Sequence, residues 1–353
     1  MLGASPVAWL CGDSHVENFG SFRGDNGLVY FDVNDFDEAV LGPVLWDVGR
    51  LAVSVLLAAA RFGLPPAERQ ALAQDLLAAY ASALATGKPY QLERATARGV
   101  VRQLLKAVAQ RRQRELLANR ARRRGGWHLL SAKAPNLRPL PLIEHQAVLE
   151  SLEAWRQAQS HPPCGPLLDV AGRIAGVGSL GVRRYAVLAE SLHPGKLPRL
   201  LDLKEAPATA PAAYCPVPQP TWATEAMRVV AVQVRLQAVP PALLQPLVLA
   251  EQPYVLRELQ PVADKLNFTN FTHGVASFRA AVPTFGCLLA WAHLRAAAHQ
   301  GAAGPDELMA FGQAASDWLP GVLHFATAAK AEVREDFHSF RLACRAGQLP
   351  TAP

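Results

Sequence analysis

The feature that most constrains this chain is a concentration of carboxylates and amides that follows two short apolar runs near its N-terminus. Residues 12–20 read GDSHVENFG and follow the apolar run 7–10, whereas residues 31–39 read FDVNDFDEA and begin inside a second apolar run. Apolar runs of this length predict two neighbouring β-strands, each of which delivers polar side chains to a turn. Oxygen ligands gathered at strand ends are what a hard divalent cation such as Mg²⁺ requires. The segment therefore predicts a strand–turn–strand unit that carries a metal-dependent site.

The composition is that of a globular protein with a large core, because 50% of the 353 residues are hydrophobic and only 18% are charged. The net charge of +6 is compatible with an anionic partner. Much of the excess lies in residues 111–124, RRQRELLANRARRR, which are interpreted as the polar face and basic end of a long helix. Because no aromatic residues interleave with these arginines, nucleic acid is not expected as a partner.

The cysteines indicate a reducing compartment. The chain has five, scattered singly, without the C-x-x-C spacing of zinc sites or the even count of a disulfide framework. The first residues, MLGASPVAWL, lack the charged leader and long apolar stretch of a signal peptide. The longest apolar run, residues 51–60, is too short to cross a bilayer. We therefore expect a cytoplasmic protein with no membrane partner.

The order of predicted elements is a β-hairpin, an α-rich block, a β-rich block and an α-rich tail. Helical periodicity predicts helices over residues 46–62, 68–86, 92–124, 143–159, 224–238, 278–300 and 306–340, the last with a break at Pro320. Strands are predicted over residues 169–175, 183–190, 200–204 and 254–259. The linker PPCGP at residues 162–166 separates the first α-rich block from the β-rich one. This order predicts an α+β fold.

A glycine-rich turn lies between two of the predicted strands. Gly176, Gly178 and Gly181 form a G-x-G-x-x-G motif that includes Ser179. In a dinucleotide-binding fold this motif opens a helix, whereas here a strand follows it. A glycine turn between strands is the arrangement in which protein kinases cover nucleotide phosphates. An ordinary hairpin whose glycines supply positive φ remains the alternative.

A lysine ends the predicted strand LLDLKEA. Burying the ammonium of Lys204 inside a sheet is costly unless it has a partner. A nucleotide phosphate could be that partner, and so could Glu225 on the helix that follows. A lysine on an edge strand in contact with water is the alternative interpretation.

The segment from Gly12 to Asn18 resembles the G-D-x-H-x-x-N loop of the aminoglycoside phosphotransferase and choline kinase branch of the protein-kinase-like fold. The resemblance implies that Asp13 is the catalytic base. His15 is the second candidate catalytic residue; it is expected to order the loop by hydrogen bonding, and proton transfer is the alternative. It further implies that Asn18 and Asp35 bind Mg²⁺ and that Asp47 braces the catalytic loop.

The chain as a whole resembles the bacterial DUF2252 family, whose patterns GD-H--NFG, NDFDE, WD--RL, G-GS-G--RY and L-LKEA it matches along most of its length. In ordinary kinases the glycine turn and the lysine precede the catalytic loop, whereas here they follow it. Residues 285–293 are similar to the helix that precedes that loop in aminoglycoside kinases. Together these resemblances imply a circularly permuted, two-lobe kinase-like fold with a small antiparallel β lobe and a larger helical lobe.

The expected domains are residues 1–160 for the catalytic loop, metal site and helical insert, residues 167–262 for the nucleotide-binding β lobe, and residues 263–353 for the helices that complete the larger lobe. The resemblance implies an ATP- and Mg²⁺-dependent phosphotransferase acting on a hydroxyl of an unknown small molecule or protein. Residues expected to bind ATP are Gly176, Gly178, Ser179, Gly181, Lys204 and Glu225. A nucleotide- or protein-binding pseudokinase and a metal-dependent hydrolase are the alternatives.

Overall fold

The computed structural model describes residues 2–123, 125–129, 134, 136–175, 181–261, 266, 268–271 and 274–349. The strands within them are β1 (Val7–Leu10), β2 (Phe19–Arg23), β3 (Val29–Val33), β4 (Val40–Pro43), β5 (Ala121–Arg123), β6 (Trp127–Leu129), β7 (Leu137–Arg138), β8 (Leu167–Arg173), β9 (Arg184–Ala189), β10 (Arg199–Glu205), β11 (Gln245–Leu249) and β12 (Gln252–Glu258). The helices are α1 (Val44–Arg61), α2 (Pro66–Ala85), α3 (Gly99–Gln110), α4 (Gln113–Ala118), α5 (Leu142–Gln157), α6 (Glu225–Leu236), α7 (Val275–Arg295), α8 (Pro305–Gln313) and α9 (Ala315–Arg345). This mixture of helices and antiparallel strands confirms the predicted α+β class.

The chain divides into two compact units. A helical unit comprises Met1–Asn18, Leu41–Tyr90 and Asn267–Pro353, and a sheet unit comprises Phe19–Val40 and Gln91–Leu266. Residues 91–160, which the sequence analysis assigned with the helices, group with the sheet. Each unit thus combines segments that are distant in the chain.

Helix α2 forms the centre of the helical unit, where α7 and α8 pack against it. A Cβ atom on Gly286 of α7 would lie 2.4 Å from the carbonyl oxygen of Leu76, and one on Gly312 of α8 would lie 2.6 Å from the backbone nitrogen of Ala85. Both helices therefore approach α2 backbone to backbone, which only glycine permits. Because α2 is covered by four neighbouring helices, α1, α7, α8 and α9, its apolar residues do not form one narrow stripe.

The bounds of α1 confirm the predicted helix over residues 46–62 to within two residues. Pro43 immediately precedes the helix and has an extended backbone. Proline is tolerated at this position because no N–H is needed there for a hydrogen bond within the helix. After the helix, Gly63 adopts a φ of 78°, and its N–H donates to the carbonyl of Ala60. A glycine in the left-handed region is a common helix terminator, so sequence and structure agree at both ends.

The predicted break at Pro320 is wrong. The C-terminal segment is interrupted at Ala314 instead, and α9 runs through Pro320 without ending. Pro320 lies in the second turn of α9. The carbonyl that its ring displaces belongs to the first turn, where the backbone can still adjust, so the helix continues.

The sheet unit is built on a six-stranded antiparallel sheet with the strand order β11-β12-β10-β9-β8-β7. Along β10, Leu201 and Leu203 point to one face and pack with Val187 and Leu256 in a buried apolar cluster. Since side chains alternate along a strand, Asp202 and Lys204 share the opposite face. The sheet therefore has one apolar face and a second face that carries both apolar and charged side chains.

The single helix predicted over residues 92–124 is wrong. The segment contains α3, α4 and the short strand β5, which pairs with β6. Alanine, leucine and arginine all have high helix propensity, so the local composition contained no clear stop signal. The structure ends α3 where Arg111 adopts an extended backbone, after the last buried residue of the helix, Val108. Tertiary packing therefore overrides propensity here.

The cysteines form no disulfide, as the sequence analysis predicted. None of the five, all of which lie in the described part of the chain, takes part in a disulfide bond. Burial, reinforced by the negative charge of Asp47, raises the pKa of the Cys11 thiol well above its ordinary value. Cys11 is therefore a protonated core residue at neutral pH.

Helix α7 is, among the described helices, the only one long and apolar enough to cross a membrane, with a mean hydropathy of 1.3 over its most apolar stretch. Half of that stretch is buried inside the protein. Phe278, Val282, Phe285 and Leu289 are among its buried side chains. Packing in the core explains the apolar character of this helix.

Replacing Gly286 by alanine is expected to lower the free energy of unfolding by about 1–3 kcal/mol, because the new methyl group would meet the backbone of α2. Urea denaturation of the purified protein measures this difference. The matched control is Gly304→Ala, where a Cβ atom meets nothing within 4 Å and the backbone is extended. A Gly286→Ala protein as stable as the control would contradict the close approach of α7 and α2.

Candidate functional site

The loop that follows β1 is held by a buried carboxylate. Asp47, in the first turn of α1, is 1% exposed. Its Oδ2 accepts the N–H of Cys11 at 2.9 Å, and its Oδ1 accepts the N–H of Gly12 at 3.1 Å. Gly12 has a φ of 82°, a conformation that favours glycine. Asp47 and Gly12 together set the direction in which the chain leaves β1.

A buried histidine lies on the other side of Asp47. The Nε2 atom of His293, on α7, is 3.5 Å from Asp47 Oδ2, which is within electrostatic range but not in hydrogen-bond geometry. The Nδ1 atom of His293 is hydrogen-bonded to the hydroxyl of Tyr80 at 2.9 Å. Burial raises the pKa of Tyr80, and the charge of Asp47 raises it further, so the phenol stays neutral. Helices α1, α2 and α7 thus meet at the base of the loop.

Asp13 lies on the loop with its side chain 38% exposed. Arg50 Nε donates to Asp13 Oδ1 at 2.7 Å, and His15 Nε2 is 3.7 Å from Asp13 Oδ2. The side-chain amide of Asn18 donates to the carbonyl oxygen of Asp13 at 3.0 Å. The helical unit therefore brings together the predicted residues Asp13, His15 and Asn18. Arg50 is a neighbour of Asp13 that the sequence analysis did not single out, although it belongs to the WD--RL pattern.

A cavity of about 250 Å³ adjoins this loop within the helical unit. Its polar lining includes His15, Glu17 and Arg61, and its apolar lining includes Leu57 and Phe268. The guanidinium of Arg61 lies over the ring of Phe268, 4.3 Å from its centroid. The cavity is large enough for a small molecule and has both polar and apolar walls.

In the sheet unit, Lys204 contacts the acidic loop that follows β3. Its side chain is 12% exposed, and its ammonium forms an ion pair with Asp37. The same ammonium is 3.7 Å from Asp35 Oδ1. The lysine is thus a shielded cation placed against two carboxylates, rather than an edge-strand lysine in water.

Lys204 and Glu225, which the sequence analysis considered as partners, each pair with another residue in the structure. Glu225 begins α6 and accepts a hydrogen bond from Arg228 Nε at 2.6 Å. Arg228 is buried and also donates to the carbonyl oxygens of Asp37 at 2.7 Å and Ala39 at 2.6 Å. Arg228 therefore ties α6 to the acidic loop. The sequence signal for it was a charged residue on the apolar side of a predicted helix.

The glycine turn is described only in part. Gly176, Gly178 and Ser179 lie outside the described residues, whereas Gly181 is described and has a φ of 90°. The flanking strands β8 and β9 pair as antiparallel neighbours, with Gly172 opposite Tyr185. The G-x-G-x-x-G motif therefore lies between two paired strands, and no helix follows it.

A cluster of charged residues occupies the same face of the sheet as Lys204. Asp202 is 1% exposed and accepts hydrogen bonds from Arg173 Nη1 at 2.5 Å and Arg184 Nε at 2.8 Å. Arg257 Nε is 3.6 Å from Asp202 Oδ2. Burial alone would raise the pKa of Asp202, but the positive charges around it hold that pKa well below its usual range. This cluster was not predicted from the sequence. The pattern that could have indicated it is the presence of charged residues inside otherwise apolar strands.

The oxygen atoms of the acidic loop suit a hard cation. Asp35 and Asp37 present two carboxylates on one short loop at Lys204. Asn18, the other predicted ligand, lies in the helical unit. Among the described residues, no group of three or more His, Cys, Asp or Glu side chains could by itself hold a metal ion. Mg²⁺ commonly takes one or two carboxylates and completes its shell with water and phosphate oxygens, and the two aspartates fit that pattern.

Replacing Asp47 by asparagine is expected to lower the free energy of unfolding by about 1–3 kcal/mol, because the amide offers one acceptor and sets its NH₂ against a backbone N–H. Urea denaturation measures the change, and hydrogen exchange at Cys11 and Gly12 should become faster. Asp75→Asn, on the exposed side of α2, is the matched control. Unchanged exchange at both amides would show that Asp47 does not hold the loop.

The comparison with protein families gives one match. The model of the family described as "Uncharacterized protein conserved in bacteria (DUF2252)" matches residues 2–343. No curated protein and no solved structure matches the chain. Since the family match covers nearly the whole sequence, including both loops described above, the chain belongs to the DUF2252 family.

Proposed function

We propose that this protein is an ATP- and Mg²⁺-dependent phosphotransferase with a circularly permuted kinase-like fold. The observation that carries the proposal is the contact of Lys204, on β10, with Asp35 and Asp37, on the loop after β3. Phosphoryl transfer of the kinase type needs a lysine at the nucleotide phosphates and carboxylates for the metal that bridges those phosphates. The two requirements meet at this contact, although the residues are far apart in the chain.

The roles of the residues follow from this assignment. Asp13 accepts the proton of the acceptor hydroxyl, while Asp47 holds the backbone of its loop and His15 orders it. Lys204 pairs with the phosphates of the nucleotide, and the glycine turn at 176–181 covers them through its backbone N–H groups. In the sequence, these residues lie between β8 and β9, which pair as antiparallel neighbours.

The residues of the sheet unit that would hold Mg²⁺ are Asp35 and Asp37. The role of Asn18 as a ligand is implied by the resemblance alone. When bound, Mg²⁺ would neutralise the negative charge of the phosphates. Lys204 contacts both aspartates, so its ammonium would be available to the phosphates if these carboxylates held the metal. The cavity beside His15 offers room for the acceptor.

The permutation is supported by contacts between the loop that follows α7 and strand β1. The N–H of Ala303 donates to the carbonyl oxygen of Val7 at 2.7 Å, and the indole N–H of Trp9 donates to the carbonyl oxygen of His299 at 3.0 Å. In an unpermuted kinase, the helix equivalent to α7 would continue directly into this strand. The two ends lie side by side here, which is the condition under which a permuted connection is tolerated.

A nucleotide-binding module without turnover is the second candidate. The observation that favours it is the ion pair between Arg50 and Asp13, which occupies an oxygen of the proposed base. Nucleotide binding would be common to both candidates, so only transfer of phosphate separates them.

Replacing Asp13 by asparagine is expected to reduce phosphate transfer by about 10²–10⁴-fold, because the amide cannot accept the hydroxyl proton. The measurement uses radiolabelled ATP with Mg²⁺ and a panel of sugars, amino alcohols, nucleosides and protein acceptors. Thermal stabilisation by Mg·ATP should persist in the variant. Asp336→Asn, on the exposed part of α9, is the charge-matched control. Transfer at the wild-type rate by Asp13→Asn would exclude Asp13 as the base, and a wild-type protein that binds Mg·ATP without transfer would favour the second candidate.

Replacing Lys204 by methionine is expected to change two affinities in opposite directions. The dissociation constant for Mg·ATP should rise about tenfold or more, because a charge-assisted contact to phosphate is lost. The affinity for Mg²⁺ alone should increase, because the ammonium no longer competes for Asp35 and Asp37. Isothermal titration calorimetry measures both, with the exposed Lys88→Met as the control. Equal affinities in variant and wild type would remove Lys204 from the nucleotide site.

A further inference from the structure

We propose that the sheet unit carries a polyphosphate-binding face, formed by Arg173, Arg184, Arg257 and Lys204, that receives the phosphate chain of a Mg²⁺-bound nucleotide. This inference deepens the proposed function and rests on it. These four residues form what we call the arginine face. Three of them are not part of the glycine–lysine pattern that suggested nucleotide binding.

The buried charges of the arginine face are not balanced. The guanidinium groups of Arg173, Arg184 and Arg257 surround a single carboxylate, that of Asp202. All four side chains are at most 13% exposed. Buried ions are ordinarily matched by opposite charge, because the solvation that they lose must be replaced. When Lys204 and its partners Asp35 and Asp37 are included, the face has four cations against three carboxylates, and the remaining positive charge favours binding of an anion.

A further argument comes from the register of the sheet. Arg184 of β9 is directly opposite Lys204 of β10, and Arg257 of β12 is directly opposite Asp202. Like charges in directly opposed positions on one face of a sheet destabilise it. The register therefore brings Arg184 and Lys204 together on one face at a cost, which a bound anion between them would remove.

Two residues of the arginine face, Lys204 and Arg184, lie next to the carboxylates of the proposed metal site. Lys204 is neutralised at present by Asp37 and Asp35, and Arg184 lies within electrostatic range of Asp35. When the two aspartates hold Mg²⁺, they no longer neutralise these cations. A polyphosphate bound to the same metal would replace the lost negative charge. Metal and polyphosphate are therefore expected to bind more tightly together than either does alone.

Arg257 is the residue of the face with the longest contacts. Its Nε is 3.6 Å from Asp202 Oδ2, and its Nη1 is 3.4 Å from the carbonyl oxygen of Asn34. By contrast, Arg173 and Arg184 make contacts of 2.5 Å to the same carboxylate. The side-chain oxygen of Asn34 is buried without a hydrogen-bond partner, so the network around Arg257 is incompletely satisfied. Arg257 can therefore turn toward a phosphate without breaking a short ion pair.

The alternative is a purely structural ion network. In that case Arg173 and Arg184 would satisfy Asp202 by themselves, since together they reach both of its oxygens. Arg257 would then add only a longer ion pair to a carboxylate that already has two partners, and a weak hydrogen bond to the carbonyl oxygen of Asn34. An anion site gives this third cation a ligand that the structural network does not supply.

The test is isothermal titration of the full chain with inorganic tripolyphosphate, which carries no nucleoside, with and without Mg²⁺. We expect binding that is tighter in the presence of Mg²⁺ and weaker at high salt. Arg257→Gln should raise the dissociation constant about tenfold or more, since a charge-assisted contact is lost. Arg257→Lys should restore binding only in part, because an ammonium lacks the planar fork of the guanidinium.

The matched control is Arg199→Gln, which removes one positive charge from β10 at a side chain that pairs with Glu258. It should leave tripolyphosphate binding unchanged. Thermal unfolding of each variant shows whether it is folded. Should Arg257→Gln fail to fold, Arg257→Lys and the dependence of wild-type binding on Mg²⁺ and salt decide the question.

The possible failures are distinguishable. The arginine face is overturned if tripolyphosphate does not bind, or if it binds Arg257→Gln as tightly as wild type. This holds even if the protein binds ATP and transfers its phosphate. Tripolyphosphate that binds as expected, in a protein that transfers no phosphate from ATP, upholds the face and overturns the phosphotransferase.

Discussion

The carboxylate of Asp47 is the interaction on which the loop of Asp13 depends. It is removed from water, and both of its oxygens accept backbone N–H groups of the loop. A buried charge is tolerated only where its hydrogen bonds are made, so the carboxylate selects one path for the chain. In the sheet unit, Arg228 acts in the same way on the acidic loop, whose carbonyl oxygens it binds from α6. Buried ions thus position the polar loops of both units.

The ion pairs of Lys204 connect structure with the proposed chemistry. One ammonium shares two carboxylates, and a divalent cation would compete for the same oxygens. The ligand-free arrangement is therefore self-neutralised, and the arrival of metal and phosphates would redistribute charges that are already present. The strands β9, β10 and β12 hold Arg184, Lys204 and Arg257 in a fixed register.

Much of the fold could be predicted, because the signals were local. Apolar periodicity placed α1, α2, α5, α6 and the strands β8, β9, β10 and β12 within a few residues of their observed bounds. The prediction failed where tertiary contacts compete with propensity, as in residues 92–124, and where position within a helix decides the effect of proline, as at Pro320. The predicted site residues Asp13, His15 and Asn18 are neighbours in the chain, so their proximity was evident from the motif itself.

By itself, the sequence determined the strand–loop segments that carry Asp13 and Asp35, the glycine turn and the lysine strand, because each is a short motif whose residues are adjacent or alternate. Only the tertiary structure decided the partners of the buried charges. It paired Lys204 with Asp37 instead of Glu225, assigned Glu225 to Arg228, and gathered three arginines around Asp202. The physical reason is that an ion pair depends on which elements pack together and in which register. Neither is encoded in the spacing of residues along one segment.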